Sequence, residues 1–153
     1  MLAILLTGVP VIVLCLIMQA VFVAKGLRYY ARFKQAHRER ASQWQDIQVL
    51  SMVMLLMLLG IFVQMAIWAC LFRVLGEFSD FPTALYHSAV NFATLGYGDM
   101  VMSQRWRVLG PIEAANGILM FGVATSVMTA AVIDVINGQT AALERDGEPL
   151  DKP

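Results

Sequence analysis

Charged side chains are scarce in this sequence, at 14% of 153 residues, where a soluble domain carries about 25%. That deficit excludes an ordinary water-facing globule, because too few charges remain to cover one. The charges present cancel to a formal net of zero, so bulk electrostatics favour neither a nucleic acid nor an acidic partner. Cysteine is almost absent. Cys15 and Cys70 each stand alone within long apolar runs, which offers neither a disulfide nor a zinc site and leaves both as small buried hydrophobes. No paired nucleophile and base, metal cluster or phosphate loop stands out, so nothing points to an enzyme.

Apolar residues make up 59% of the chain, and they are gathered into runs. Residues 1–24 contain no charged side chain, a length that spans a hydrocarbon core as a helix. A cleaved signal would need a positive start and a small-residue cleavage site; here the first lysine is Lys25, after the run, so a transmembrane helix is expected. Residues 49–72 form a second run, interrupted only by Gln64 and ended by Arg73. A third, 114–133, lies between Glu113 and Asp134. Ionisable groups at membrane edges are expected to face water or partners.

Residues 81–98 are also free of formal charge but contain Pro82, His87, Asn91, Gly96 and Gly98. A short helix followed by irregular backbone exists at membrane depth only where protein or water surrounds it. A re-entrant loop is therefore expected. A helix over 82–93 would descend roughly 18 Å, and an extended 94–98 would climb back roughly 16 Å. Pro82 suits a first turn, and Asp80 or Ser79 could cap it.

Charge then sets topology. Lys25, Arg28, Arg32, Lys34, Arg38 and Arg40, opposed by Glu39 and Asp46, fall between the first two runs, which places that linker in the cytoplasm. The N-terminus is then outside, the loop opens outward and the tail is inside. The linker is read as a plain topology determinant or, with Tyr29, Tyr30 and Phe33 interleaved, as a segment lying on anionic lipids; nucleic acid is not an expected partner. The expected fold is an all-α membrane protein: an N-terminal transmembrane helix (1–24), a basic cytoplasmic linker (25–48), a module of two crossings with the re-entrant segment between them (49–136) and a short cytoplasmic tail (137–153). Within the module an outer helix covers 49–73, a re-entrant helix 82–93, an extended segment 94–99 and an inner helix 111–136.

The hexapeptide Thr94-Leu95-Gly96-Tyr97-Gly98-Asp99, following a short helix between two crossings, resembles the pore loop of the potassium channel family, whose common filter has valine where this chain has Leu95. The resemblance covers roughly residues 49–136. It implies that backbone carbonyls of Thr94, Leu95, Gly96 and Tyr97 replace the water shell of a potassium ion, with the Thr94 hydroxyl at the inner end. Gly96 and Gly98 supply backbone angles that other residues resist. Leu95 would present only its backbone to ions, and Tyr97 would pack behind the filter. Asp99 is expected at the outer mouth with Tyr86 as partner. His87 stands where the family commonly carries tryptophan, and is read either as bonded to the Tyr97 hydroxyl or as simply packed; the former would make the filter pH-sensitive. Val90 stands where some relatives carry a glutamate paired with this aspartate, so that pairing is missing. Gly122 and Gly117 are candidate gating hinges, of which the resemblance puts Gly122 nearer the expected position, with close helix packing as the other use of such glycines. Asp134 is read either as part of an acidic ring at the inner mouth or as a mark of the helix end.

One chain holds one such segment, so a homotetramer is implied. The expected function is passive, potassium-selective conduction, with K+ as permeant ion and no cofactor; a weakly selective cation channel and a non-conducting membrane scaffold are the alternatives. The first helix lacks the arginines of a voltage sensor, and residues 137–153 are too few for a ligand-binding domain. A prokaryotic plasma membrane is the expected location.

Overall fold

The computed structural model describes residues 2–36 and 43–146. Four helices occur there: α1 (Leu2–Ala36), α2 (Gln43–Val74), α3 (Phe81–Phe92) and α4 (Leu109–Asp146). There is no strand among the described residues. Three of the helices are long and apolar enough to cross a membrane, which makes this an all-α, multi-pass membrane protein. The short α3 packs between α2 and α4, while α1 lies against α2 and α4.

All three long helices outrun their apolar stretches. α1 continues past residue 24 to Ala36, α2 begins at Gln43, and α4 extends to Asp146. The expected boundaries followed hydropathy, but Lys, Arg, Gln and Glu are good helix formers and do not stop a helix. At 35 residues, α1 is roughly 52 Å long, well beyond the roughly 30 Å of a hydrocarbon core. The described parts of the linker, 25–36 and 43–48, are therefore helical, with Lys25, Arg28, Arg32 and Lys34 exposed on α1. Arg38, Glu39 and Arg40 lie outside the described residues, as do 147–153 of the tail.

The core forms where α2, α3 and α4 converge. Trp68, Phe72, Phe92, Leu109 and Met120 are fully buried. The Phe72 ring packs against Trp68 (centroids 5.9 Å apart) and edge-on to Phe78 (6.4 Å). The tightest approach is made by Gly117, where an added Cβ would stand 2.0 Å from the Phe92 carbonyl oxygen. Only the absence of a side chain lets α4 pass the C-terminal end of α3. Gly122, in contrast, faces open space.

Polar contacts attach α1. Midway along the helix, Gln64 Nε2 donates to Gln19 Oε1 at 2.7 Å, in a buried setting, a bond worth about 0.6 kcal/mol between membrane helices. Near its end, Tyr30 Oη donates to Asp134 Oδ2 at 2.6 Å and Lys34 forms an ion pair with the same carboxylate. The ion pair is half-exposed, so it contributes about 1 kcal/mol or less. Asp134 therefore does not mark the end of α4, which runs twelve residues further; it is the acceptor for α1. Gln139 Nε2 similarly donates to Asp46 Oδ2 at 2.9 Å, tying α4 to the start of α2.

The two glycines of α4 should respond differently to substitution. Gly117→Ala is expected to lower the thermal stability of the detergent-solubilised protein by about 1–3 kcal/mol through overpacking. Gly122→Ala should be neutral or stabilise by up to about 1 kcal/mol, the helix-propensity gain. Equal melting temperatures for the two variants would contradict the crossing described here.

Candidate functional site

Asp80 starts α3 by accepting from the Thr83 N–H at 2.9 Å, with Pro82 in the first turn. Donation from the Thr83 backbone also holds the Asp80 carboxyl below its usual range. The helix closes at Phe92, one residue before the expected end, with Ala93 as cap. Its last carbonyls then receive the following backbone. Thr94 N donates to Asn91 O, and Leu95 N to Val90 O, both at 2.8 Å; Gly96 N reaches the same Val90 oxygen at 3.4 Å. The N–H groups of 94–96 are thus consumed by α3. No donor among the described residues reaches the carbonyls of 94–98.

The backbone of this segment alternates. Thr94 has φ 60°, Gly96 58° and Gly98 73°, and Thr94 is the one non-glycine residue with positive φ among those described. Left-handed geometry at a β-branched residue costs about 1–3 kcal/mol. Alternating left- and right-handed residues turn successive peptide groups the same way, so that carbonyls can line up along one side. Nothing lies within 4 Å of a Cβ built at Gly96 or Gly98, so glycine is needed there for its conformation rather than for space. The side chains of Leu95 and Tyr97 are 55% and 66% exposed, an unpartnered apolar and aromatic surface on a single chain.

Tyr86 and Asp99 are brought together: Tyr86 Oη donates to Asp99 Oδ2 at 2.7 Å, which pushes the tyrosine hydroxyl above its usual range. The second Asp99 oxygen accepts from the Met100 N–H at 3.0 Å. His87 and Tyr97 are not brought together within the chain. His87 is buried between Phe72 and Phe78, with ring centroids at 5.6 and 4.8 Å, and its Nε2 lies 2.8 Å from Asn91 Nδ2. The packed reading of this histidine is the one that a single chain displays.

Three contacts around this segment escaped the sequence reading. Glu77 Oε2 and Oε1 accept from the Ser103 N–H at 2.6 Å and its hydroxyl at 2.7 Å, closing the loop after the 94–99 segment onto the end of α2. Ser88 and Asn91 on α3 lie beside Glu113 of α4. Glu113, expected to face water or partners, is fully buried. Only the position of Glu113 just before an apolar run hinted at any of this. No group of three or more metal-ligating side chains occurs among the described residues.

A family model described as an ion channel matches residues 51–134, more than half of the chain. It begins in α2 and ends at Asp134, so it contains α3 and the whole 94–99 segment but not α1. No curated protein and no solved structure matches.

Burial holds His87 below the ordinary imidazole range, opposed by a hydrogen bond with the Met100 backbone and by the charges of Asp99 and Glu77. With a depressed value in the fold, the unfolded chain binds the proton first as pH falls. Stability should then be full above about pH 6.5 and decline below it. Melting curves at about pH 7.5 and pH 5.5 should differ in the native protein, and His87→Gln should shrink the difference. An unchanged difference would assign the acid sensitivity to another group.

Proposed function

Because the chain belongs to the ion-channel family through residues 51–134, we propose that it is one subunit of a potassium-selective channel, four copies of which surround a central pore and conduct K+ passively. The observation that carries this reading is the alternating left-handed backbone at Thr94, Gly96 and Gly98. A potassium ion entering a narrow pore must exchange its water shell for other oxygens at once, or desolvation blocks entry. The Thr94 and Leu95 carbonyls belong to peptide groups whose N–H is fixed to α3, which leaves those oxygens free to serve. In this proposal the carbonyls of Thr94, Leu95, Gly96 and Tyr97 form successive rings about the pore axis, with Gly98 completing the turn and the Thr94 hydroxyl at the inner end.

Four-fold assembly is supported by the exposure of Leu95 and Tyr97, which a neighbouring copy would cover. The C-terminal end of α3, next to the segment, carries partial negative charge and favours a cation nearby. Tyr86 and Asp99 would form the outer rim, with His87 packed behind. Gly122, free of neighbours, is the better hinge of the two glycines, since Gly117 is committed to packing. The basic end of α1, with Lys25, Arg28 and Arg32 exposed and Tyr29 stacked on Phe33 at 6.3 Å, would lie against anionic lipids of the cytoplasmic leaflet of a prokaryotic plasma membrane, leaving the N-terminus outside. No cofactor is needed.

The test is the reversal potential of the protein in a planar bilayer, with potassium on one side and sodium on the other. A reversal near the potassium equilibrium potential is expected. Current that reverses near zero would indicate a weakly selective cation channel, and silence in the native protein and in hinge variants of Gly122 would indicate a non-conducting scaffold. Gly96→Ala, which forces an L-residue into left-handed geometry at about 1–2 kcal/mol, should abolish selective current while leaving the helices folded by circular dichroism.

A further inference from the structure

Glu113 stands in the second turn of α4, fully buried, and among the described residues no basic side chain pairs with it. An ionised carboxylate in that position would carry a large desolvation cost with no counter-charge. Hydrogen counting around Ser88 points the same way. Ser88 Oγ lies 2.8 Å from the Met65 carbonyl oxygen and also within hydrogen-bond distance of Glu113 Oε1. A serine hydroxyl has one hydrogen to give and can accept through its lone pairs. The Met65 carbonyl can only accept; with the Ser88 hydrogen given to it, the second contact is a hydrogen bond when Glu113 donates, as a carboxylic acid.

This acid joins three helices. Met65 belongs to α2, Ser88 to α3 and Glu113 to α4. The Asn91 amide also lies beside the Glu113 carboxyl and reaches His87 on its other side. The same short stretch of α3 holds the pore segment, since Val90 O and Asn91 O accept from Leu95, Gly96 and Thr94. Val90 itself, buried and apolar, supplies no acid behind the segment.

We propose that the Glu113 carboxylic acid is a positioning residue for the ion path: it fixes α3 against α4 and α2, and through Val90 and Asn91 it sets the height and tilt of the 94–98 backbone. The inference rests on the reading of that backbone as a potassium filter. Its distinguishing property is that a neutral side chain with a donor in the same place should replace it, whereas an apolar side chain of similar size should not.

The experiment uses the full-length protein and the variants Glu113→Gln, Glu113→Leu and Ser88→Ala. Two quantities are read: the potassium concentration that half-protects the assembly against thermal dissociation, and the K+/Na+ permeability ratio from reversal potentials. Glu113→Gln should match the native protein in both. Glu113→Leu should raise the half-protective concentration roughly fivefold, the effect of losing one hydrogen bond, and lower the permeability ratio. Ser88→Ala should do the same, and the double variant should add little further. If Glu113→Leu does not assemble, Ser88→Ala decides. The inference is overturned if Glu113→Leu and Ser88→Ala weaken the assembly equally with and without potassium while the permeability ratio stays unchanged, which would mean packing alone. It is also overturned if Glu113→Gln behaves like Glu113→Leu, which would mean an ionised carboxylate. A native protein that shows neither potassium protection nor selective reversal removes the filter reading itself, a result separable from any difference among variants.

Discussion

A chain that turns back inside a membrane must find partners for every backbone N–H and C=O that its turn leaves open. Here the donors at the turn are taken by Val90 O and Asn91 O at the end of α3. Everything nearby follows from that anchoring. The N–H groups of residues 94–96 are directed back into protein, which leaves their carbonyls for whatever lies on the other side. The strained φ at Thr94 is held by the two bonds that flank it. α3 can supply those bonds only if it sits firmly, and its seat is made by Gly117 beneath Phe92 and by the aromatic group of Trp68, Phe72 and Phe78. A residue as small as glycine and residues as large as tryptophan thus serve one constraint, the placement of a few peptide groups.

The far end of the segment is held differently. Tyr86 and Asp99 bind one another beside it, and Glu77 secures the returning loop through Ser103. These contacts are exposed and individually weak. Together they fix the departure of the chain from the segment, as the end of α3 fixes its arrival. The two ends are therefore restrained by different chemistry, with apolar packing and buried polar contacts below and surface hydrogen bonds above.

Much of this was legible in the sequence because hydrocarbon imposes simple rules. Uncharged runs of crossing length, a proline after an aspartate, and two glycines separated by one residue located the three long helices, the start of α3 and the turn. The Tyr86–Asp99 contact was expected alongside the family resemblance and not from residue spacing. Boundaries were less legible, since hydropathy tells where a helix leaves the membrane and not where it stops being a helix; α1 continues through Lys and Arg, which favour helix nearly as well as leucine, whereas α4 runs on through Asn137, Gly138 and Thr140, which do not. Contacts between distant segments were the least legible. Nothing in the sequence around Glu113 shows that Ser88 lies opposite it, nor does Asp134 announce Tyr30 and Lys34, about a hundred positions away. Gly117 and Gly122 were both candidate hinges in the sequence, with Gly122 the nearer to the family's position, but that Gly117 is committed to packing shows only in what faces it.

The attachment of α1 has a mechanical consequence. α1 runs alongside α4 in the same direction, from Gly8 beside Leu109 and Ile112 to Tyr30 and Lys34 at Asp134. Gly122 lies between these points of attachment. The two helices therefore form a pair of parallel beams pinned near both ends, and a bend in one must either be copied by the other or shear the pins. The joint at Gly8 is apolar packing, while the one at Asp134 is a polar contact of Tyr30 and Lys34. A helix outside the 51–134 module thus adds to the stiffness of α4 around Gly122.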